Sequence, residues 1–117
     1  MDVRTMRAAA MTLALTLAAG AAAAGEVKVG QSSVAYDPES LATEAGSRAL
    51  LAKLERAAYE ACGGDPRNHA AWKNTPKLTV RAYRACQERA VAQAVTQVGS
   101  PALAAVHAGQ VRTGVAR

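Results

Sequence analysis

The chain has 117 residues, a formal charge of +5, no Phe, one Trp and three Tyr. That length holds one small domain, which excludes a multidomain enzyme. No cluster of residues reads as an active site.

Residues 1–24 read as a secretory signal peptide. Arg4 and Arg7 supply a positive start, and residues 8–19 are apolar apart from Thr12 and Thr16. Gly20 and the alanines 21–24 follow, placing small residues where signal peptidase accepts them. The expected cut falls between Ala24 and Gly25. A membrane anchor is the alternative, but run 8–19 is short of the ~20 residues that span a bilayer. No Cys stands directly after the run, which argues against a bacterial lipoprotein. The expected location is the periplasm or beyond. Cytosolic nucleic acid and ATP then drop out as partners, and no transmembrane segment is expected in the mature chain.

Residues 25–37 alternate. Val27 and Val29 are separated by Lys28, and Val34 and Tyr36 by Ala35, the period of a strand with one buried face. One extended segment cannot satisfy its own backbone. It can bend at Gly30-Gln31-Ser32 into a hairpin, pair with the same strand of a second copy, or lie against the helices.

Asp37-Pro38 marks a turn or a helix start, and Thr43 is a second candidate cap. A helix covers residues 47–61. Leu50, Leu54, Ala57 and Ala61, flanked by Leu51, Ala58 and Cys62, make its apolar face, and Gly63-Gly64 stops it. Residues 63–75 form a loop containing His69 and Trp72. Thr75-Pro76 opens a second long helix to about residue 98, with Tyr83, Cys86, Ala90, Val91, Ala94, Val95 and Val98 on its apolar side. Gly99 ends it, Ser100-Pro101 starts a third, short helix, and residues 108–117 read as a frayed tail. The expected fold is therefore mainly α: a short N-terminal strand, an antiparallel helical hairpin and a short C-terminal helix, forming one domain over residues 25–107.

Removal of the leader takes Arg4, Arg7 and Asp2, leaving a charge of +4, and takes every Met with it. What remains for a core is Leu, Val and many Ala, without Ile. Small chains with so thin a core need a staple or a partner. In an exported chain an even cysteine count reads first as a disulfide, here Cys62 with Cys86. Free thiols and a metal pair are the alternatives. Two Cys are half a structural zinc site, and His69 does not complete it. Cys62 ends the first helix, while Cys86 lies about ten residues, or ~15 Å, into the second. A bridge between antiparallel helices therefore makes the start of the second overhang the end of the first. The loop must return along that overhang, where Trp72 reads as a packing lid rather than a ligand platform.

These features resemble the UrcA family of small exported bacterial proteins. Tyr36-Asp37 closing the strand, Gly46, Leu50, Leu54, Ala57-Ala58 and Cys62-Gly63 carry the resemblance in the first half. Arg84-Ala85-Cys86, Ala90, Ala94-Val95, Pro101 and Leu103 carry it in the second. This chain has Asp37-Pro38 where the family pattern has Asp-Leu, and Lys53 where it has Arg. The resemblance implies an envelope location and a disulfide. It transfers no activity, no cofactor and no catalytic residue.

The chemistry weighed directly is thin. A Cys62–His69 nucleophile pair would need a thiol that the bridge consumes. Asp37, Glu39 and Glu44 are the only loose acidic group, and they sit where helix starts favour negative charge; no metal site is expected. Lys73, Lys77, Arg81 and Arg84 recur at helical spacing, and Arg84 lies about 200° around the helix from Cys86. That stripe reads first as a solvated face. Its sharper reading is an anion-binding face of Lys77, Arg81 and Arg84, for lipid headgroups, lipopolysaccharide or acidic proteins; Glu88 continues the stripe and opposes it. The expected role is non-enzymatic: a protein-interaction or stress-linked structural module of the envelope, with a homodimer through residues 34–36 as one form. The alternatives are a binder of anionic envelope components and a thiol or redox protein using the Cys pair.

Overall fold

The computed structural model describes residues 25–113. The leader reading of residues 1–24, Ala24 included, lies outside them, as do residues 114–117. Strands β1 (Gly25–Val29) and β2 (Ser32–Tyr36) pair antiparallel, with Val27 opposite Val34 and Gly25 opposite Tyr36. Of the three ways to satisfy the extended segment, the chain takes the hairpin. Gly30 has φ 62°, the left-handed backbone that lets a two-residue turn match the twist of its strands. Val27 and Val29 are buried while Glu26 and Lys28 face water, so the alternation read from sequence is the inside and outside of β1.

Both candidate starts after the strand are used. Asp37 accepts the N–H of Glu39 at 3.0 Å and begins a 3₁₀ turn, Pro38–Ala42. Thr43 Oγ1 accepts the N–H of Gly46 at 3.0 Å and caps helix α1, Glu44–Ala61. The turn folds so closely onto the helix that a Cβ on Gly46 would overlap the Ser40 carbonyl oxygen. Ser47, Leu50, Leu51, Leu54 and Ala58 are the buried residues of α1. After Cys62, Gly63 and Gly64 take φ 108° and 74°, and the Gly64 N–H turns back to the Tyr59 carbonyl at 2.9 Å.

Two short 3₁₀ turns, Pro66–Asn68 and Ala70–Lys73, lead to helix α2, Pro76–Val98. Thr75 precedes α2, but its hydroxyl donates back to the Ala71 carbonyl at 3.1 Å instead of capping the helix. Gly99, at φ 72°, ends α2, and the Ser100 hydroxyl accepts the Leu103 N–H at 3.2 Å to open helix α3, Pro101–Thr113. The helix thus runs on through Ala108, where composition marked a tail. The Thr113 hydroxyl closes its last turn onto the Gly109 carbonyl at 3.0 Å.

Val27, Val29, Leu50, Leu51, Leu54, Ala58, Val91, Ala94, Val95 and Leu103 form one core. It sits where the hairpin, α1, the second half of α2 and α3 meet. Fully burying one Leu or Val is worth about 1.5–3 kcal/mol, so a handful of such side chains carries most of the cohesion. The Gln97 side chain adds a polar clamp: its Oε1 accepts the Lys28 N–H at 3.1 Å and its Nε2 donates to the Lys28 carbonyl at 3.2 Å. That amide pins β1 to α2. The first half of α2 buries only Thr79, whose hydroxyl bonds the Thr75 carbonyl at 2.7 Å.

Candidate functional site

The bridge is present. Cys62 at the end of α1 is bonded to Cys86 within α2, with Cα atoms 6.0 Å apart. It creates the overhang expected from the cysteine positions, and the two 3₁₀ turns pack along that overhang. Each turn has its own side-chain cap. Asp65 accepts the Arg67 N–H at 2.9 Å and also holds the Arg67 guanidinium. The side-chain hydrogen bond from Arg67, with the backbone bond from the same residue, keeps the Asp65 carboxyl below the usual carboxylate range; Asp65 in turn raises the guanidinium. His69 Nδ1 accepts the Ala71 N–H at 3.0 Å, which requires the imidazole to be unprotonated at Nδ1. The His69 ring meets the Tyr83 ring edge-on, with centroids 6.0 Å apart. The Tyr83 ring also lies over Gly63, so that a Cβ there would approach its atoms at 3.0 Å.

His69 therefore fixes the turn that carries Trp72. Trp72 is half-buried, as expected of a packing lid, but it also does something that spacing did not show. With Pro76 and Val80 it lines a cleft of about 370 Å³ whose other lining residues are Lys77, Arg81 and Arg84. The structure thus brings the three residues of the expected anion face together and adds an indole to them. Lys77, Arg81 and Arg84 are exposed, and among the described residues no ion pair joins them to a carboxylate. Lys73 does not belong to this set: it lies in the 3₁₀ turn before α2 and does not line the cleft, so its helical spacing from Lys77 is coincidental. Glu88, one turn further along α2 than Arg84, does not line it either.

The other groups weighed from sequence are engaged elsewhere. The sulfur of Cys62 is bonded to Cys86, and His69 Nδ1 is engaged by the turn. Asp37 caps its own turn, and Glu44 pairs with Arg48 one turn on. Among the described residues no group of three or more His, Cys, Asp or Glu is placed to hold a metal ion. A second hollow, of about 610 Å³, lies between the start of α1 and α3, lined by Thr43, Val106, Gly109 and Gln110 among others. Its two charged residues, Glu44 and Arg48, neutralise each other. Among the described residues no helix is long and apolar enough to cross a membrane.

The fold and site together define a small, disulfide-stapled, mainly helical module with one basic, indole-lined cleft. Comparison with family models, curated proteins and solved structures returns no match.

Proposed function

We propose that this protein is a non-enzymatic, UrcA-like binding module of the bacterial envelope, exported with residues 1–24 removed, and that it engages anionic envelope components through the first half of α2. One observation carries the reading. Lys77, Arg81 and Arg84 converge on one cleft with Trp72, which the loop between α1 and α2 supplies, on a half-helix that the disulfide holds at Cys86. A solvated face needs no indole and no concavity. Cations around an apolar floor fit a ligand that is both anionic and partly apolar.

The test is salt dependence. Binding to envelope extract immobilised on a sensor surface is expected to weaken steeply between 50 mM and 500 mM salt, as exposed charges are screened. Reversing all three charges (K77E, R81E, R84E) is expected to abolish it while leaving the circular dichroism unchanged. Binding that survives both treatments would remove the reading.

A homodimer through β2 is the second reading, and one observation favours its location. The edge of β1 is clamped by Gln97, whereas β2 makes no backbone hydrogen bond outside the hairpin among the described residues. The pairing that a second copy would have supplied is already made within the chain, so a dimer here extends a sheet rather than completing a strand.

A further inference from the structure

We infer that the ligand of the α2 cleft is the phosphate-bearing surface of an anionic lipid bilayer, with Trp72 lying at the level of the headgroups. The inference rests on the binding reading above and names its substrate class.

The polar side chains that line the cleft are donors. They are one ammonium, two guanidinium groups and the indole N–H, a set that matches a group with oxygen acceptors and negative charge. The three cations spread along two turns of α2, from position 77 to position 84, which is roughly 10 Å of axis. All three are exposed, and among the described residues nothing encloses them. A small free anion would meet one cation at a time and keep its water. A bilayer presents many mobile phosphates at once, so each cation finds a partner without a preset register, gaining roughly fivefold in affinity apiece.

The apolar part of the lining fits the same surface. Trp72, Pro76 and Val80 sit beside the cations, and an indole, with an apolar body and a polar N–H, belongs at a membrane–water boundary. Leu78 is 58% exposed but does not line the cleft; it lies on the far side of the cations from Pro76 and Val80. Lys and Arg side chains can lay their aliphatic stems along the apolar lining and keep their charges at phosphate depth. An acidic peptide would satisfy the charges and leave the indole and Val80 in water. The bilayer covers both kinds of group together.

Trp72 is the only Trp in the chain, so tryptophan emission reports this cleft alone. The full chain is expressed with its leader, and the exported species is purified and confirmed by intact mass to begin at Gly25. It is titrated with vesicles of phosphatidylglycerol and phosphatidylcholine mixed 1:1, with pure phosphatidylcholine vesicles, with poly-glutamate and with inorganic phosphate. The expected result is a blue shift of Trp72 emission and sedimentation with the mixed vesicles only. The triple variant K77Q/R81Q/R84Q, which keeps the exposed stems, is expected to lose roughly a hundredfold in vesicle affinity. A blue shift that persists in that variant would overturn the inference. So would equal binding to pure phosphatidylcholine. Binding to poly-glutamate or phosphate without the mixed vesicles would overturn the lipid assignment and keep the anion-binding reading. Binding to none of the four would sink both.

Discussion

The two halves of α2 are one unbroken helix held in two different ways. The second half buries Val91, Ala94 and Val95 against the hairpin, α1 and α3. The first half buries one threonine, and is secured by a covalent bond at Cys86 and by two short turns whose caps are exposed. Cohesion in the second half comes from area removed from water, which no single polar bond controls. In the first half it comes from a few discrete links, each of which can be cut. The half with surplus packing is closed; the half without it leaves a cleft, and the candidate site is there.

The largest effect that tests this difference lies in the core. Leu54→Ala is expected to cost about 3–4 kcal/mol, because the side chain is fully buried and its neighbours can only partly collapse. Leu78→Ala, on the overhang and mostly in water, is expected to change stability by less than about 0.5 kcal/mol. Urea unfolding of both variants measures the contrast. Similar losses at the two positions would mean that the overhang is packed by something outside residues 25–113.

The disulfide comes next. Replacing Cys62 and Cys86 together by Ser is expected to cost about 3 kcal/mol, from the freedom returned to the unfolded loop. The signature is in its distribution. Amide exchange should quicken far more over residues 76–84 than over residues 91–98, because only the first stretch lacks buried aliphatics to hold it. Uniform acceleration along α2 would show that its halves behave as one unit and would break the comparison.

How well each half was legible follows the same division. Local chemistry announces itself. Gly99 stops α2 because few other residues adopt φ 72°, and Thr43 caps α1 because a hydroxyl is needed there. The apolar spacing of Leu50, Leu54, Val91 and Val95 identified the core face of each helix. The cysteine positions even required the overhang. What could not be read depends on where the chain returns in space. The hairpin was one of three options because its partner strand is chosen by contact with Gln97 and the core. Lys73 shares the helical spacing of the basic stripe, yet it lies in a turn. The Gly, Thr, Gln and Arg composition of residues 108–117 suggests a tail, yet α3 runs to Thr113 from a start whose Val106 packs against the core. The cysteine positions put Trp72 over the overhang, but its meeting with Lys77, Arg81 and Arg84 needs the His69-capped turn, which no spacing shows.

The smallest expected effect is a response to acid confined to the overhang. The Arg67 guanidinium and backbone hold the Asp65 carboxyl below its ordinary value, so the group binds its proton less readily in the folded chain than in the unfolded one. A lowered pKa contributes stability that is present above the unfolded value, near 3.8, and is lost as pH falls through the lower folded value. Acid should therefore loosen the turn Pro66–Asn68, where the protonated carboxyl no longer pairs with Arg67 and accepts its N–H less well. The core half of α2 buries no titratable group in its packed face and should not respond over the same range. Amide exchange followed from pH 5 down to pH 2.5, corrected for intrinsic rates, should show protection falling over residues 65–69 while residues 91–98 hold. Asp65→Asn keeps an acceptor for the turn but cannot titrate, so it should flatten that response without abolishing the turn. A pH response of equal size in the Asn variant would place its origin in another group and detach the loop's cap from the stability of the overhang.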